Sequence, residues 1–247
     1  INANKVTFEG DGRIVIDSER IKDEAGNDKL DYQNINITTS ADNTDNIIIG
    51  YDAYDETNNT YAGANADGKG NEIANVNGKA FTKADGYMWV EDVEQLQAIN
   101  TNLGGNYALR NSIDATSTEQ NGFTSIGSDD SKAFTGNFDG IDYNIFGLTI
   151  KNGGKNTGLF GYTNNATISN VTLVGGSITG TDSNVGAIVG SANNTTLTNV
   201  VNSAAVSGNS NVGGIVGSAN NSAIKDAINT GTINGSGDNV GGLIGNL

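Results

Sequence analysis

The feature that most restricts the fold of this chain is a repeat of 27 or 28 residues near its carboxyl end. One glycine of each unit lies in a similar apolar string, and these glycines are 28, 27 and 28 residues apart: Gly158, Gly186, Gly213 and Gly241. A pair of asparagines and a short piece that ends in glycine recur at the same phase. Three landmarks that keep register over three periods indicate a repeat architecture rather than an ordinary sandwich.

Each period contains three short strand-like pieces separated by Gly, Asn, Ser and Thr, and none is long enough for a helix. A unit of this length is typical of one coil of a parallel β-helix, in which each strand pairs with its counterpart one coil away. We therefore predict an all-β fold, a right-handed parallel β-helix (solenoid). The handedness follows from the crossover rule for parallel strands.

The repeat also predicts which side chains stack. Three apolar columns would fill the interior: Leu159/Ile188/Ile215/Leu243, Ile168/Leu197/Ile224 and Ile178/Val206/Ile233. Asparagine tolerates the left-handed conformation and its amide can form ladders. We therefore expect the asparagine pairs to stack at a corner, with Asn165, Asn194 and Asn221 as structural repeat positions beside the four glycines.

A different pattern precedes the repeats. Apolar residues recur every third position from Val90 to Ile99, acids cluster at the start of this stretch, and Gly104 and Gly105 close it. This pattern predicts one short amphipathic helix at about residues 90–100. Residues 133–150 alternate like strands, with a turn at Asp139–Gly140.

The order of these motifs resembles a known family. The chain reads WVEDVEQLQAI, then YAL, SIDAT, GFTSIG, FTGNFDG and IFGLTI, followed by GLFG-type repeats. This order is similar to that of large exported adhesins of two-partner secretion systems, the filamentous-haemagglutinin-like proteins with GLUG repeats. The residues IDYN at 141–144 depart from the family, which often has a short turn with Gly or His there. GLUG repeats also occur in other surface proteins, including some bacterial peptidases outside their catalytic region.

The resemblance implies a location and partners. It implies an extracellular protein at the bacterial outer-membrane surface that passes through an outer-membrane exporter. It also implies adhesion to host or bacterial surface glycans or proteins, and a role in biofilms.

We expect one continuous solenoid with three sections. Residues 1–85 would form acidic coils with irregular loops and a protruding loop at 54–72, residues 86–155 the Trp/FDG segment with the short helix, and residues 156–247 the GLUG coils. Tyr51, Tyr54 and Tyr61 are candidates for a sugar-stacking or protein-binding platform. The alternative is that these tyrosines pack the loop onto the coil.

Charge and composition exclude several classes of function. The net charge of −15 argues against nucleic acid, because no basic stripe exists to displace counterions from phosphates. The chain has no His and no Cys, which removes the usual nucleophilic constellations. The carboxylates of the repeat region, on Asp182, Asp226 and Asp238, lie at different phases of the repeat. We therefore expect no enzyme activity, no cofactor and no metal, since the acidic turns match no calcium-loop pattern.

The leading hypothesis is an adhesin stalk or binding section of a large exported surface protein. The alternative is a structural filament or biofilm-matrix subunit that assembles end to end through solenoid edges. The chain begins with Ile, shows no signal peptide and ends within a repeat unit. We therefore expect a processed chain or an excised fragment, whose last coil is continued by further repeats or paired with a partner subunit.

Overall fold

A computed structural model describes residues 13–17, 36–38, 47–61, 72–77 and 79–247. The chain divides into two compact units, Ile1–Trp89 and Val90–Leu247. Each unit has its own buried side chains, and each is described separately below.

The first unit contains short strands. They are β1 (Ile14–Asp17), β2 (Asn36–Ile37), β3 (Ile47–Tyr51), β4 (Tyr54–Asp55), β5 (Thr60–Tyr61), β6 (Glu72–Val76), β7 (Lys79–Thr82) and β8 (Tyr87–Val90). Strands β1 and β3 pair in parallel, and β3 pairs in parallel with the start of β8. Two antiparallel pairs, β4–β5 and β6–β7, interrupt this arrangement. Trp89 is buried and its ring lies over Gly50, where a side chain would overlap the indole.

The second unit begins with a short helix, α1 (Val93–Ala98), which continues as a single 3₁₀ turn (Ile99–Thr101). The Asp92 carboxylate caps the helix by accepting a hydrogen bond of 2.8 Å from the backbone N–H of Gln95. Leu96 and Ile99 are fully buried beneath it. The predicted helix is confirmed, although it starts three residues later than its apolar pattern because Val90 belongs to a strand. A one-turn helix, α2 (Thr118–Asn121), was not predicted.

The remaining strands wind as coils. Before the repeats lie β9 (Tyr107–Leu109), β10 (Ile113–Asp114), β11 (Asn137–Asp139), β12 (Asn144–Phe146) and β13 (Thr149–Gly153). The repeats supply β14 (Phe160–Asn164), β15 (Thr167–Val174), β16 (Ser177–Gly180), β17 (Val185–Gly186), β18 (Val189–Asn193), β19 (Thr196–Asn202), β20 (Ala205–Gly208), β21 (Val212–Gly213), β22 (Val216–Asn220), β23 (Ala223–Asn229), β24 (Ile233–Gly235), β25 (Val240–Gly241) and β26 (Ile244–Asn246).

Strands of successive coils pair in parallel and in register. Ile168 lies beside Leu197, which lies beside Ile224, and the column Ile178, Val206 and Ile233 pairs in the same way. The predicted column Leu159, Ile188, Ile215 and Leu243 lies at the bends between strands. Its first three members are fully buried, whereas Leu243 in the last coil is 40% exposed. The result is a parallel β-solenoid of about five turns. The predicted architecture is therefore confirmed.

The coils that begin at β17 and β21 have four strands each rather than the three pieces read from the sequence. The string VGAIVG is divided between β17 and β18 by a bend at Ala187 and Ile188. The bend turns Ile188 into the core, where it is fully buried. A two-residue strand such as β17 has no periodicity of its own, so the repeat alone did not reveal it.

Aromatic side chains fill the coils just before the repeats and the first repeat itself. Phe134 and Phe160 lie with ring centroids 4.8 Å apart, and Phe138 meets Phe160 edge-on at 5.4 Å. All three are buried, together with Tyr107. Tilted and edge-on rings are favoured arrangements for aromatic pairs. These larger side chains occupy the space that Val, Ile and Leu fill in the later coils.

Candidate functional site

The asparagine corner forms a ladder along the solenoid. Asn165, Asn194 and Asn221 all have left-handed backbones, with φ of 54°, 46° and 47°. The backbone N–H of Asn165 donates to the Asn193 carbonyl one coil away at 3.1 Å, and the side-chain amide of Asn221 donates to Asn194 Oδ1. As predicted, these residues lie at a turn that repeats from coil to coil.

A second ladder was not recognised in the sequence. Its rungs have φ between 53° and 63°. Each amide donates to the side-chain oxygen of the asparagine one coil earlier, at 2.8, 2.8 and 2.9 Å. The rungs are Asn156, Asn184, Asn211 and Asn239. Each rung stands two residues before a repeat glycine, and this constant spacing is the signal that could have found the ladder.

The repeat glycines lie where neighbouring backbone segments approach closely. Gly186, Gly213 and Gly241 pair in register on three successive coils. A Cβ atom at Gly158 would lie 2.6 Å from the Gly186 carbonyl oxygen. A Cβ at Gly186 would overlap the carbonyl oxygen of Val189. The repeat glycines therefore have a structural role, which is to let the backbones of neighbouring coils approach closely.

The three candidate tyrosines lie together in the first unit but present little ring surface. Tyr51 and Tyr61 are buried, at 5% and 4% exposure. Their hydroxyl groups donate to the backbone carbonyls of Lys83 and Trp89 at 3.1 and 2.8 Å. Tyr54 is half-buried, and its ring centroid is 5.4 Å from that of Tyr61. The burial matches the packing alternative. Residues 62–71 of the predicted protruding loop lie outside the described residues.

A tight turn joins β11 to β12. The N–H of Tyr143 donates to the carbonyl of Gly140 at 2.8 Å, and the two residues between them, Ile141 and Asp142, have φ of 45° and 60°. Two positive φ values define a type I′ turn, which normally carries Asn-Gly. A β-branched residue in this conformation is a backbone outlier. The departure at 141–144 seen in the sequence is thus a strained turn.

A groove lies beside the edge of the coils that precede the repeats. Its volume is about 390 Å³, within the range of roughly 300–1,000 Å³ common for small-ligand sites. Residues 123–128 form one wall and residues 150–157 the other. Strand β13 bulges here: Ile150 pairs with Ile178 and Gly153 with Gly180, so two residues oppose one. Bulges commonly redirect side chains next to functional sites.

The groove combines cations, hydroxyl groups and a bare backbone. Two of the five basic residues in 90–247, Lys151 and Lys155, line the groove. Lys151 donates to the Glu119 backbone carbonyl at 2.8 Å and lies 3.8 Å from the carboxylate of the same residue. Lys155 is exposed. A side chain added at Gly154 would meet nothing within 4 Å.

In the acidic turns, the aspartate carboxylates accept hydrogen bonds from neighbouring groups of the protein. Asp129 accepts hydrogen bonds from the hydroxyl groups of Ser131 and Ser128, which lower the pKa of its carboxyl group, as do the backbone N–H groups of Ser131 and Lys132. The Asp139 carboxylate accepts hydrogen bonds from the Ser169 hydroxyl group and the Asn170 side-chain amide. In the part of the chain that is described, no three His, Cys, Asp or Glu side chains are placed to share a metal ion. Residues 10–12 of one acidic turn lie outside it.

No helix among the described residues has the length and apolar character needed to cross a membrane.

A family of known proteins matches the larger part of this chain. The family model described as the M26 IgA1-specific metallo-endopeptidase N-terminal region matches residues 70–208, which is more than half of the chain. No curated protein and no solved structure matches the chain.

Proposed function

The chain belongs to the family of M26 IgA1-specific metallo-endopeptidase N-terminal regions, and from this premise we propose that it is a non-catalytic, adhesive stalk section of a large exported surface protein. In this proposal it lies outside the bacterial cell and contacts surface glycans or proteins. Its export would follow two-partner secretion, as the resemblance to the GLUG-repeat adhesins implies.

The observation that carries the proposal is the in-register stacking of coils. The strands of each coil pair with those of the next, and asparagine amides link the same coils at two corners. A solenoid of this kind is stabilised by nearest-neighbour contacts, so it can fold progressively from one coil to the next. Progressive folding suits a chain that emerges unfolded from an exporter, and the resulting rod suits a spacer.

The chemistry of the side chains supports a non-catalytic role. The family description names the N-terminal region of a metallo-endopeptidase, and if the metal of such an enzyme is zinc, it is usually held by His with Asp, Glu or Cys. This stretch of chain contains no His and no Cys, and its described carboxylates do not gather in threes. The residues present therefore do not fit a zinc site. Peptide hydrolysis would have to be performed by residues other than these.

An adhesion measurement tests the proposal. Beads that carry the full chain should adhere to epithelial or bacterial cells more than beads that carry an unrelated protein of similar net charge. Periodate oxidation or protease treatment of the cells should remove the difference and identify the class of receptor. The chain alone should leave the heavy chain of IgA1 intact.

Two results would contradict the proposal. Equal adhesion by both kinds of bead would exclude an adhesive role for this section. Concentration-dependent fibres in sedimentation and electron microscopy, without adhesion, would instead favour the end-to-end filament.

A further inference from the structure

We propose that the groove between residues 123–128 and 150–157 binds a sugar residue that carries a carboxylate, with Lys155 as its cationic partner. The inference rests on the proposed adhesive function and deepens it by naming a ligand class and a place. The inference depends on the shape of the groove, on which of its two lysines is already paired, and on the charge at its rim.

The two lysines differ in availability. Lys151 is engaged by Glu119, whose carbonyl and carboxylate oxygens lie 2.8 and 3.8 Å from its ammonium group. Arg110, another cation of this unit, is paired with Glu91. Within the part of the chain that is described, neither a hydrogen bond nor an ion pair engages the Lys155 side chain. Lys155 is therefore the cation that can take an external carboxylate.

The walls suit a sugar ring rather than a bare ion. Phe123 and Ile150, at 8% and 2% exposure, supply only a small apolar part of the lining. Thr124 and Ser125 supply hydroxyl groups, and the Ser128 hydroxyl, which donates to Asp129, can still accept. The Ser125 hydroxyl accepts from the N–H of Gly158 at 3.2 Å, so its own proton is available to a ligand. Gly154 leaves the backbone bare and lets a ring approach closely. Apolar faces with a few hydroxyl partners are the usual composition of small-ligand sites.

The negative charge of the carboxylates near the rim of the groove favours a ligand with a single negative charge over one with several. The carboxylates of Glu119 and Asp129 lie on side chains at or next to the groove, and hydrogen bonds from Ser131 and Ser128 lower the pKa of Asp129, which favours its ionised form. A phosphate or a polysulfated sugar would meet repulsion from both. One carboxylate beside Lys155 gains a charge-assisted bond with less opposing charge. A uronic acid is the simplest sugar with this chemistry.

The test compares two ligands that differ only at the carboxylate. Methyl glucuronide and methyl glucoside are titrated into the ¹⁵N-labelled full chain, and amide shifts are followed by NMR. We expect the glucuronide to move the signals of residues 153–155 and to bind about tenfold more tightly than the glucoside. The difference should shrink as salt is added, because the ion pair is exposed.

Three variants locate the site. Lys155→Gln should bring glucuronide affinity down to that of the glucoside, whereas Lys225→Gln removes an exposed charge from β23 and should change nothing. Gly154→Leu should abolish both titrations by filling the groove, and its fold should survive because the position faces open space. Unchanged amide spectra away from the groove verify the fold of each variant.

Several outcomes would overturn the inference. They are equal binding of glucuronide and glucoside, unchanged binding by Lys155→Gln, shifts located elsewhere, or acetate binding as tightly as the glucuronide. Adhesion by beads without glucuronide binding would refute this site and leave the adhesive function intact. Glucuronide binding without bead adhesion would do the reverse.

Discussion

The side-chain amide of Asn184 donates a 2.8 Å hydrogen bond to Oδ1 of Asn156, and both residues have left-handed backbones. Asn184 also accepts the equivalent bond from Asn211 at 2.8 Å. One side chain thus links three successive coils while its backbone turns a corner. Few residues other than Asn combine these two properties, since Gly supplies the conformation without the amide and Ala supplies neither.

Replacing Asn184 should separate the contribution of its side-chain hydrogen bonds from that of its left-handed backbone conformation. Asn184→Gly keeps the left-handed corner and loses two hydrogen bonds, which we expect to lower the free energy of unfolding by about 1–3 kcal/mol. Asn184→Ala adds the strain of a left-handed alanine and should cost roughly 1 kcal/mol more. Urea denaturation followed by circular dichroism measures both. Asn234→Ala, at an exposed strand position, is the matched control and should stay within about 0.5 kcal/mol of the wild type.

The packing of the repeat glycines makes a second prediction. A methyl group at Gly186 would overlap the carbonyl oxygens of Val189 and Ile215. Gly186→Ala should therefore destabilise the chain by about 1–3 kcal/mol, because the backbones of two coils must separate. Gly154→Ala should be neutral or slightly stabilising, since no atom lies within 4 Å and the unfolded chain loses freedom. Equal effects of the two substitutions would contradict the close approach at Gly186.

The repeat region was predictable because its constraints recur. Gly213 and Asn194 each have counterparts at the same phase, and that phase appears in the sequence as a period. The fourth strand of the coils that begin at β17 and β21 was not predictable, since β17 spans two residues and cannot show alternation. The groove was also hidden from the sequence. It depends on one extra residue in β13 and on the pairing of Lys151 with Glu119, and neither leaves a trace in residue spacing.

The turn that joins β11 to β12 makes a third prediction. Ile141 is held at φ 45°, a conformation that a β-branched side chain adopts at a cost of about 1–3 kcal/mol. Ile141→Asn should relieve this strain and raise the free energy of unfolding by about 1 kcal/mol, because Asn tolerates the left-handed region. Denaturation in urea measures the change. Ile141→Val keeps the branched Cβ and should leave stability unchanged, so an equal gain in both variants would refute strain as the cause.

The loop at residues 128–132 makes a prediction about pH. Hydrogen bonds from Ser131 and Ser128 hold the pKa of the Asp129 carboxyl below the ordinary value of an aspartate, 3.8. A folded pKa below the unfolded one means that ionised Asp129 stabilises the loop above the unfolded pKa. That stabilisation is lost as the pH falls through the lowered value. A ¹³C NMR titration of the Asp129 carboxyl group should therefore have its midpoint below 3.8.

Replacing Ser131, whose hydroxyl group donates to Asp129, tests what lowers the pKa of the Asp129 carboxyl group. Ser131→Ala removes the hydroxyl group whose bond to Asp129 lowers the pKa most, so the midpoint should move upward toward the ordinary range of aspartate. Ser236→Ala changes a serine far along the chain and should leave the Asp129 midpoint where it was. As the pH falls, the loop of the Ser131→Ala protein should also lose its amide protection from exchange at a higher pH than the wild-type loop does, because the pKa of Asp129 is lowered less. A midpoint unmoved by Ser131→Ala would show that the Ser128 hydroxyl and the backbone N–H groups of Ser131 and Lys132, rather than the Ser131 hydroxyl, hold the carboxylate ionised.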